Sequence, residues 1–206
     1  MTSKGKPAAA HSAATVMLLR ESTGHLQVLL QRRAATLWYG GNWVFPGGSV
    51  DAADGDLELD LANVVRRAAA LPEGQAVAGD ARETVESEWF EPEAALEHAA
   101  SGRLALMPPT RMSLLDLQLT HALHGSLLAM LYAEQARPIV PILPRLVGPT
   151  EARVAVYPWD PDYSSLPGDG IGLAGEAPAY LRRLPSRLVL GGSGEPVRPV
   201  PERARR

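Results

Sequence analysis

The feature that most constrains this chain is a pair of strand-forming runs followed at once by a glycine-punctuated aromatic loop. Ala14-Thr15-Val16-Met17-Leu18-Leu19 and Leu26-Gln27-Val28-Leu29-Leu30 flank Glu21-Ser22-Thr23-Gly24-His25, an order that predicts a β-hairpin. Trp38-Tyr39-Gly40-Gly41-Asn42 and Trp43-Val44-Phe45-Pro46-Gly47-Gly48 come next. Pro46 ends a short extended run and the glycines let the backbone turn, so the segment reads as a rigid loop flanked by aromatic rings.

Five carboxylates follow, Asp51, Asp54, Asp56, Glu58 and Asp60, and residues 61–70 have helix-compatible composition with these acids at the favourable N-terminal end. Pro72 and Gly74 stop that helix early. Residues 84–90 alternate and are β-prone, which predicts a strand, and residues 92–100 predict a short helix closed by Gly102. Residues 113–135 predict a longer helix with Leu115, Leu119, Leu123, Leu127 and Leu131 on one stripe, read as core packing. Beyond Arg137 the composition turns proline-rich with short apolar runs, and residues 198–206 read as a disordered tail. The expected organisation is a disordered tail over residues 1–12, a main domain over 13–135 and a proline-rich extension over 136–206.

Composition narrows the function classes. With 46% apolar and 21% charged residues the 206-residue chain is an ordinary globular protein. At this size roughly 70% of the unfolded surface is buried, so no metal is needed merely to hold the fold. The absence of cysteine excludes disulfides, thiolate ligands and cysteine nucleophiles, and fits a cytoplasmic protein. A net charge of -3 argues against broad nucleic-acid binding, which needs a basic face. Ser3-Lys4-Gly5-Lys6 loosely imitates the start of a signal peptide, but the apolar run after it is short and meets Arg20-Glu21 directly. No segment reaches the ~20 apolar residues of a membrane span, so neither nucleic acid nor membrane is an expected partner.

Gln31-Arg32-Arg33-Ala34-Ala35-Thr36 after the hairpin, then Trp43 through Gly48-Ser49-Val50-Asp51, together resemble the opening half of a Nudix domain. Glu83, Glu86 and Trp89 repeat a Glu-x-x-Glu-x-x-Trp strand common in that family, with the Pro92-Glu93 helix behind it. Leu106-Met107-Pro108-Pro109-Thr110 is similar to one branch, the coenzyme A diphosphohydrolase type. The resemblance covers roughly residues 13–119. It implies an α/β fold, an α/β/α sandwich around a mixed sheet, and a substrate in which a nucleoside diphosphate is linked to another group. It also implies Mg²⁺ or Mn²⁺ as cofactor and a small nucleotide-like ligand as partner.

One part of that pattern is missing. The family's box runs Gly-x5-Glu-x7-Arg-Glu-U-x-Glu-Glu-x-Gly-U, with U bulky and aliphatic, and its glutamates share one helix face so that they hold the metal beside a pyrophosphate. Here Gly48 opens the pattern and Asp54 stands where the first acid falls, but no Arg-Glu-U-x-Glu-Glu follows. Asn63 to Ala70 resembles the start of the box helix and passes directly into Leu71-Pro72, as an internal deletion would produce. The sheet is therefore expected to be incomplete, and an exposed edge would pair a second chain as a homodimer or aggregate. Arg82-Glu83-Thr84-Val85-Glu86-Ser87 repeats three residues of the box, but on a strand Glu83 and Glu86 point to opposite faces, whereas Glu86 and Glu88 share one.

By this resemblance Arg32 and Arg33 steady phosphate, Trp43, Gly47 and Gly48 lie beside the ligand, and Asp51, Asp54 and Glu86 carry metal. No general base can be assigned. Each assignment has a plainer counterpart. Strand-end arginines often face solvent, paired glycines make tight turns, and the acids from Asp51 to Asp60 also read as a solvated loop. Trp38, Tyr39 and Trp43 either stack on a base or cover a core edge. His121 and His124, three apart on a helix, have metal-pair spacing but no third ligand.

Overall fold

A computed structural model describes residues 13–37, 39–49, 84–138, 140, 142–149, 153–168, 172–173, 176–190 and 198–199. The expected N-terminal tail, Trp38, Glu83, the acidic stretch with Asp51 and Asp54, and the expected helix over 61–70 lie outside the described residues.

The hairpin forms, displaced along the chain. Strand β2 (Leu19–Ser22) pairs antiparallel with β3 (His25–Arg33) through a two-residue turn at Thr23 and Gly24, whose φ values of 52° and 82° are both left-handed. That turn geometry matches the right-handed twist of the flanking strands, and glycine makes its second position easy. Ala13–Thr15 instead forms its own strand, β1, paired antiparallel with β5 (Gly47–Ser49). Between them in the chain is β4 (Trp43–Val44), which pairs with β3 at Arg32 and Gln31, while β6 (Thr84–Phe90) pairs with the other edge of β3.

Three described helices follow. Helix α1 (Pro92–Ala100) starts on proline and ends at Ser101 and Gly102, the latter at φ 76°. The expected long helix is two, α2 (Pro108–His124) and α3 (Leu127–Gln135). Gly125 at φ 73° breaks the helix, Ser126 caps α3 by accepting from Ala129 N–H at 3.3 Å, and the Glu21 carboxylate accepts from Leu127 N–H at 3.0 Å. The leucine stripe is corrected accordingly. Leu119 and Leu123 are exposed, at 37% and 57%, while Leu114 and Leu117 are in the core. Residues four apart drift by about 40° around a helix, and the break at Gly125 restarts the phase, so Leu127 and Leu131 are buried on α3.

Helix α2 is buried on two sides. Leu114 and Leu117 join Val28, Leu30, Trp43, Phe45 and Phe90 in a core under the first sheet. Met112 and Leu115 join a second core with Tyr157, Leu181, Leu184 and Leu188. This second core lies on an antiparallel sheet in the order β10-β9-β8-β7, made by β7 (Arg145–Val147), β8 (Val154–Val156), β9 (Arg187–Val189) and β10 (Arg198–Pro199). The start of the expected tail thus pairs, Arg198 with Val189 and Pro199 with Leu188, at an edge where proline's missing N–H is tolerated.

Two arginines tie this part together. Arg187 grips the buried Asp160 through Nε and Nη2, each at 2.7 Å, and Ser186 Oγ donates to the same carboxylate at 2.7 Å. Arg137 donates to both Asp116 oxygens at 2.6 and 2.9 Å, to Glu134 at 2.9 Å, and lies 3.9 Å over the Tyr180 ring. The fold is α/β, and every strand pairing among the described residues is antiparallel except a single parallel bridge between Trp43 and Leu106.

Candidate functional site

The far end of the β3–β6 pair opens into a polar groove. Cross-strand register sets Val28 opposite Phe90, Leu30 opposite Glu88 and Arg32 opposite Glu86, so alternate residues of β6 share the face that Arg32 occupies. On the other edge of β3, Arg32 is in register with Trp43. A single row across three strands therefore reads Trp43, Arg32, Glu86. The remaining wall comes from the end of α1 and the loop after it. Gly102 turns the chain back, and Trp43 N–H donates to the Ala105 carbonyl at 2.8 Å, which holds that loop against β4.

The groove holds about 480 Å³ and is lined among others by Arg32, Glu86, Glu88, His98 and Arg103 over a floor of Trp43 and Phe90. Trp43 and Phe90 meet edge to face, with centroids 5.3 Å apart at 87°, and His98 sits 6.3 Å from Phe90 in the same manner. Arg32 Nη1 lies 3.5 Å from Glu86 Oε2, and both side chains are half exposed. A pair this long and this wet contributes little to stability and opens readily to a competing ligand. The groove can thus offer two guanidiniums to an anion, and two carboxylates to a cation or to hydroxyl groups.

The expected site residues divide. Arg32, Trp43 and Glu86 come together in the groove. Trp43 is only 6% exposed and belongs to the core cluster, so its indole forms floor. Arg33 is not among the groove's lining residues, and its Nε is enclosed without a partner. A register shift between Arg32 and Arg33 separates the two side by side arginines. Gly47 and Gly48 lie in β5 instead. A Cβ at Gly47 would come 2.4 Å from the Ala14 carbonyl oxygen, so close strand approach explains that glycine, while at Gly48 a Cβ would meet nothing within 4 Å. Asp51 and Asp54 lie outside the described residues. His121 and His124 are on α2 with no third ligand beside them, and among the described residues no group of three or more His, Asp or Glu side chains could hold a metal.

Glu88, His98 and Arg103 were not singled out from the sequence as site residues. Glu88 carries a readable signal, the shared strand face with Glu86. His98 and Arg103 carry none, because their place depends on how the chain reverses after α1. For Mg²⁺ or Mn²⁺ the described groove offers two carboxylates, one of them engaged by Arg32, where the Nudix pattern uses glutamates on successive helical turns. That set does not fit a pyrophosphate-cleaving metal centre.

No helix among the described residues is long and apolar enough to cross a membrane. No family model matches the chain, and no curated protein matches it. Among solved structures it is similar to a NUDIX hydrolase from Alicyclobacillus acidocaldarius, at 16% identity and a TM-score of 0.41, covering 54% of this chain and 92% of that one. It is also similar to RenU, a Nudix hydrolase from M. smegmatis, at 25% identity and a TM-score of 0.33, covering 55% and 87%. A third similarity is to the complex between the C-terminal domain of mouse MUTYH and human PCNA, at 14% identity and a TM-score of 0.33, covering 55% and 90%.

Proposed function

We propose that this chain is a Nudix-type protein that binds a nucleoside diphosphate linked to another group, coenzyme A or a similar compound, with pyrophosphate cleavage weak or lost. The observation that carries the reading is the row Trp43, Arg32, Glu86 lining one groove, three residues drawn from separate sequence motifs. Arg32 and Arg103 supply the charge-assisted donors that a phosphate oxygen requires, with Arg32 leaving Glu86 to do so. Glu86 and Glu88 face the same space and suit ribose or pantetheine-like hydroxyl and amide groups as acceptors.

Loss of cleavage is supported by the sequence itself, which lacks the Arg-Glu-U-x-Glu-Glu turn throughout its length. Without carboxylates on one helix face the reaction has no bound cation to neutralise the pyrophosphate and activate water. The reading therefore favours a binding module over an efficient hydrolase, in a cytoplasmic setting consistent with the absence of cysteine.

The test is to incubate the full chain with coenzyme A, ADP-ribose and nucleotide sugars, each with Mg²⁺, Mn²⁺ or chelator, and to read products by mass spectrometry alongside ligand binding. Binding of at least one compound with product at the limit of detection is expected. Fast metal-dependent product overturns the loss of cleavage, and neither binding nor product from folded protein overturns the whole reading.

A further inference from the structure

The segment from Thr15 to Leu19 does not close fully on α2 and α3. It leaves a cavity of about 270 Å³ against them, more than the roughly 150 Å³ that suffices to hold a benzene ring. Leu19, Leu117, Met130 and Leu131, all buried, give it an apolar lining. Val16 and Met17 line it too, on the link from β1 to β2, and are left 38% and 41% exposed, so the cavity is open to solvent on that side. Its charged lining is of one sign. Asp116 of α2 and Glu134 of α3 both line the cavity, whereas Arg137, which donates to both, is not among the lining residues. Two carboxylates thus share one guanidinium, and His124 adds positive charge near Glu134 only when protonated. Burial holds the Glu134 carboxyl above its ordinary pKa even with Arg137 beside it, so its charged form gains from a further cation. Carboxylate oxygens already engaged by Arg137 keep lone pairs for another donor.

We propose that this cavity binds a small amphiphilic amine, an alkyl or aryl ammonium whose hydrocarbon body packs on Leu117 and Met130 and whose charged end meets Glu134 and Asp116. Each part of the lining selects a part of that ligand. The apolar residues favour burial of hydrocarbon, and the unbranched Met17 and Met130 side chains adapt to its shape. The carboxylates repel an anion and leave a neutral guest without charge-assisted hydrogen bonds, while a primary ammonium brings three donors and the missing charge. The cavity shares no lining residue with the groove beside Arg32, so this site is separate from the nucleotide site proposed above and does not depend on it.

The experiment titrates n-hexylamine, and n-hexanol as its neutral counterpart, into the full chain at pH 8, where the alkylamine is protonated, with the methionine methyl groups carbon-13 labelled and followed by NMR. Met17 and Met130 line the cavity, and Met107 and Met112 do not. Hexylammonium is expected to give saturable shifts at Met17 and Met130 that exceed those at Met107 and Met112, and hexanol is expected to bind at least about tenfold more weakly. Glu134→Gln leaves Asp116 paired with Arg137 and is expected to bring the two ligands within about threefold of each other. If Glu134→Gln does not fold, Ser113→Leu takes its place, because it fills the cavity from α2, and the Met17 and Met130 responses are expected to vanish. Hexanol binding as tightly as hexylammonium, no shift at Met17 and Met130, equal shifts at all four methionines, an unchanged preference in Glu134→Gln or a retained response in Ser113→Leu overturns the proposal.

Discussion

Gly47 and Gly48 are adjacent in sequence and carry opposite constraints. At Gly47 an added Cβ meets the Ala14 carbonyl at 2.4 Å, so Gly47→Ala should destabilise by about 2–3 kcal/mol, whereas Gly48→Ala, pointing into open space, should stay within about 0.5 kcal/mol. Urea unfolding of the two variants checks the contrast, and equal effects would mean that β1 does not pair there. Asp160 gives a second residue-scale prediction. Burial alone would raise its pKa, but hydrogen bonds from Arg187, Ser186 and the Asp162 backbone N–H outweigh burial and hold it below its ordinary value of 3.8. A carboxyl depressed on folding stabilises fully above its unfolded pKa and loses that contribution as pH falls through the folded value. Wild type should therefore lose stability more steeply than Asp160→Asn as pH drops below about 4, while at neutral pH the variant is the weaker by about 3 kcal/mol. Unfolding measured across that range decides it, and parallel pH profiles would refute the assignment. The sequence made Gly47 visible as special but not why, because the atom it avoids belongs to a strand more than thirty residues away in the chain.

Local punctuation made several elements legible in advance. Residues 92–100 are bounded by proline and glycine on the expected residues, and Pro92 follows the end of the 84–90 strand, since proline's missing donor and glycine's left-handed φ act within a turn or two. The hairpin lies a few residues later than composition alone places it, because strand-forming composition runs unbroken through Leu18 and only the turn at Thr23 and Gly24 sets the register. The leucine stripe misled for a geometric reason, an i+4 spacing that drifts across the helix, and for a tertiary one, since α2 packs on two sides rather than one. Leu114→Ala should accordingly cost about 2–5 kcal/mol and Leu123→Ala within about 0.5 kcal/mol. Gly125→Ala, forcing a Cβ into φ 73°, should cost about 1 kcal/mol by chemical denaturation, and a stabilised variant would mean that the two helices are in fact continuous.

At the scale of the whole molecule, α2 is shared between two cores, and the proline-rich region supplies one of them. Truncation after Gln135 would strip Met112 and Leu115 of the Tyr157, Leu181 and Leu188 side chains that cover them, and would remove Arg137 from between Asp116 and Glu134. The shortened chain should unfold at lower denaturant with a smaller m-value, and an unchanged transition would make residues 136–206 a separate unit. Of the groove, sequence spacing pointed to Arg32, Trp43 and Glu86, while His98 and Arg103 join it only through the reversal after α1. Binding of a nucleotide-linked diphosphate in this groove, as proposed, depends on Arg32. Calorimetric titration of coenzyme A into the full chain and into Arg32→Ala tests it most directly. Saturable binding is expected, weakening about tenfold or more in the variant, whose fold should be intact because Arg32 is half exposed. Binding of equal strength in both proteins, or none in the wild type, would contradict it.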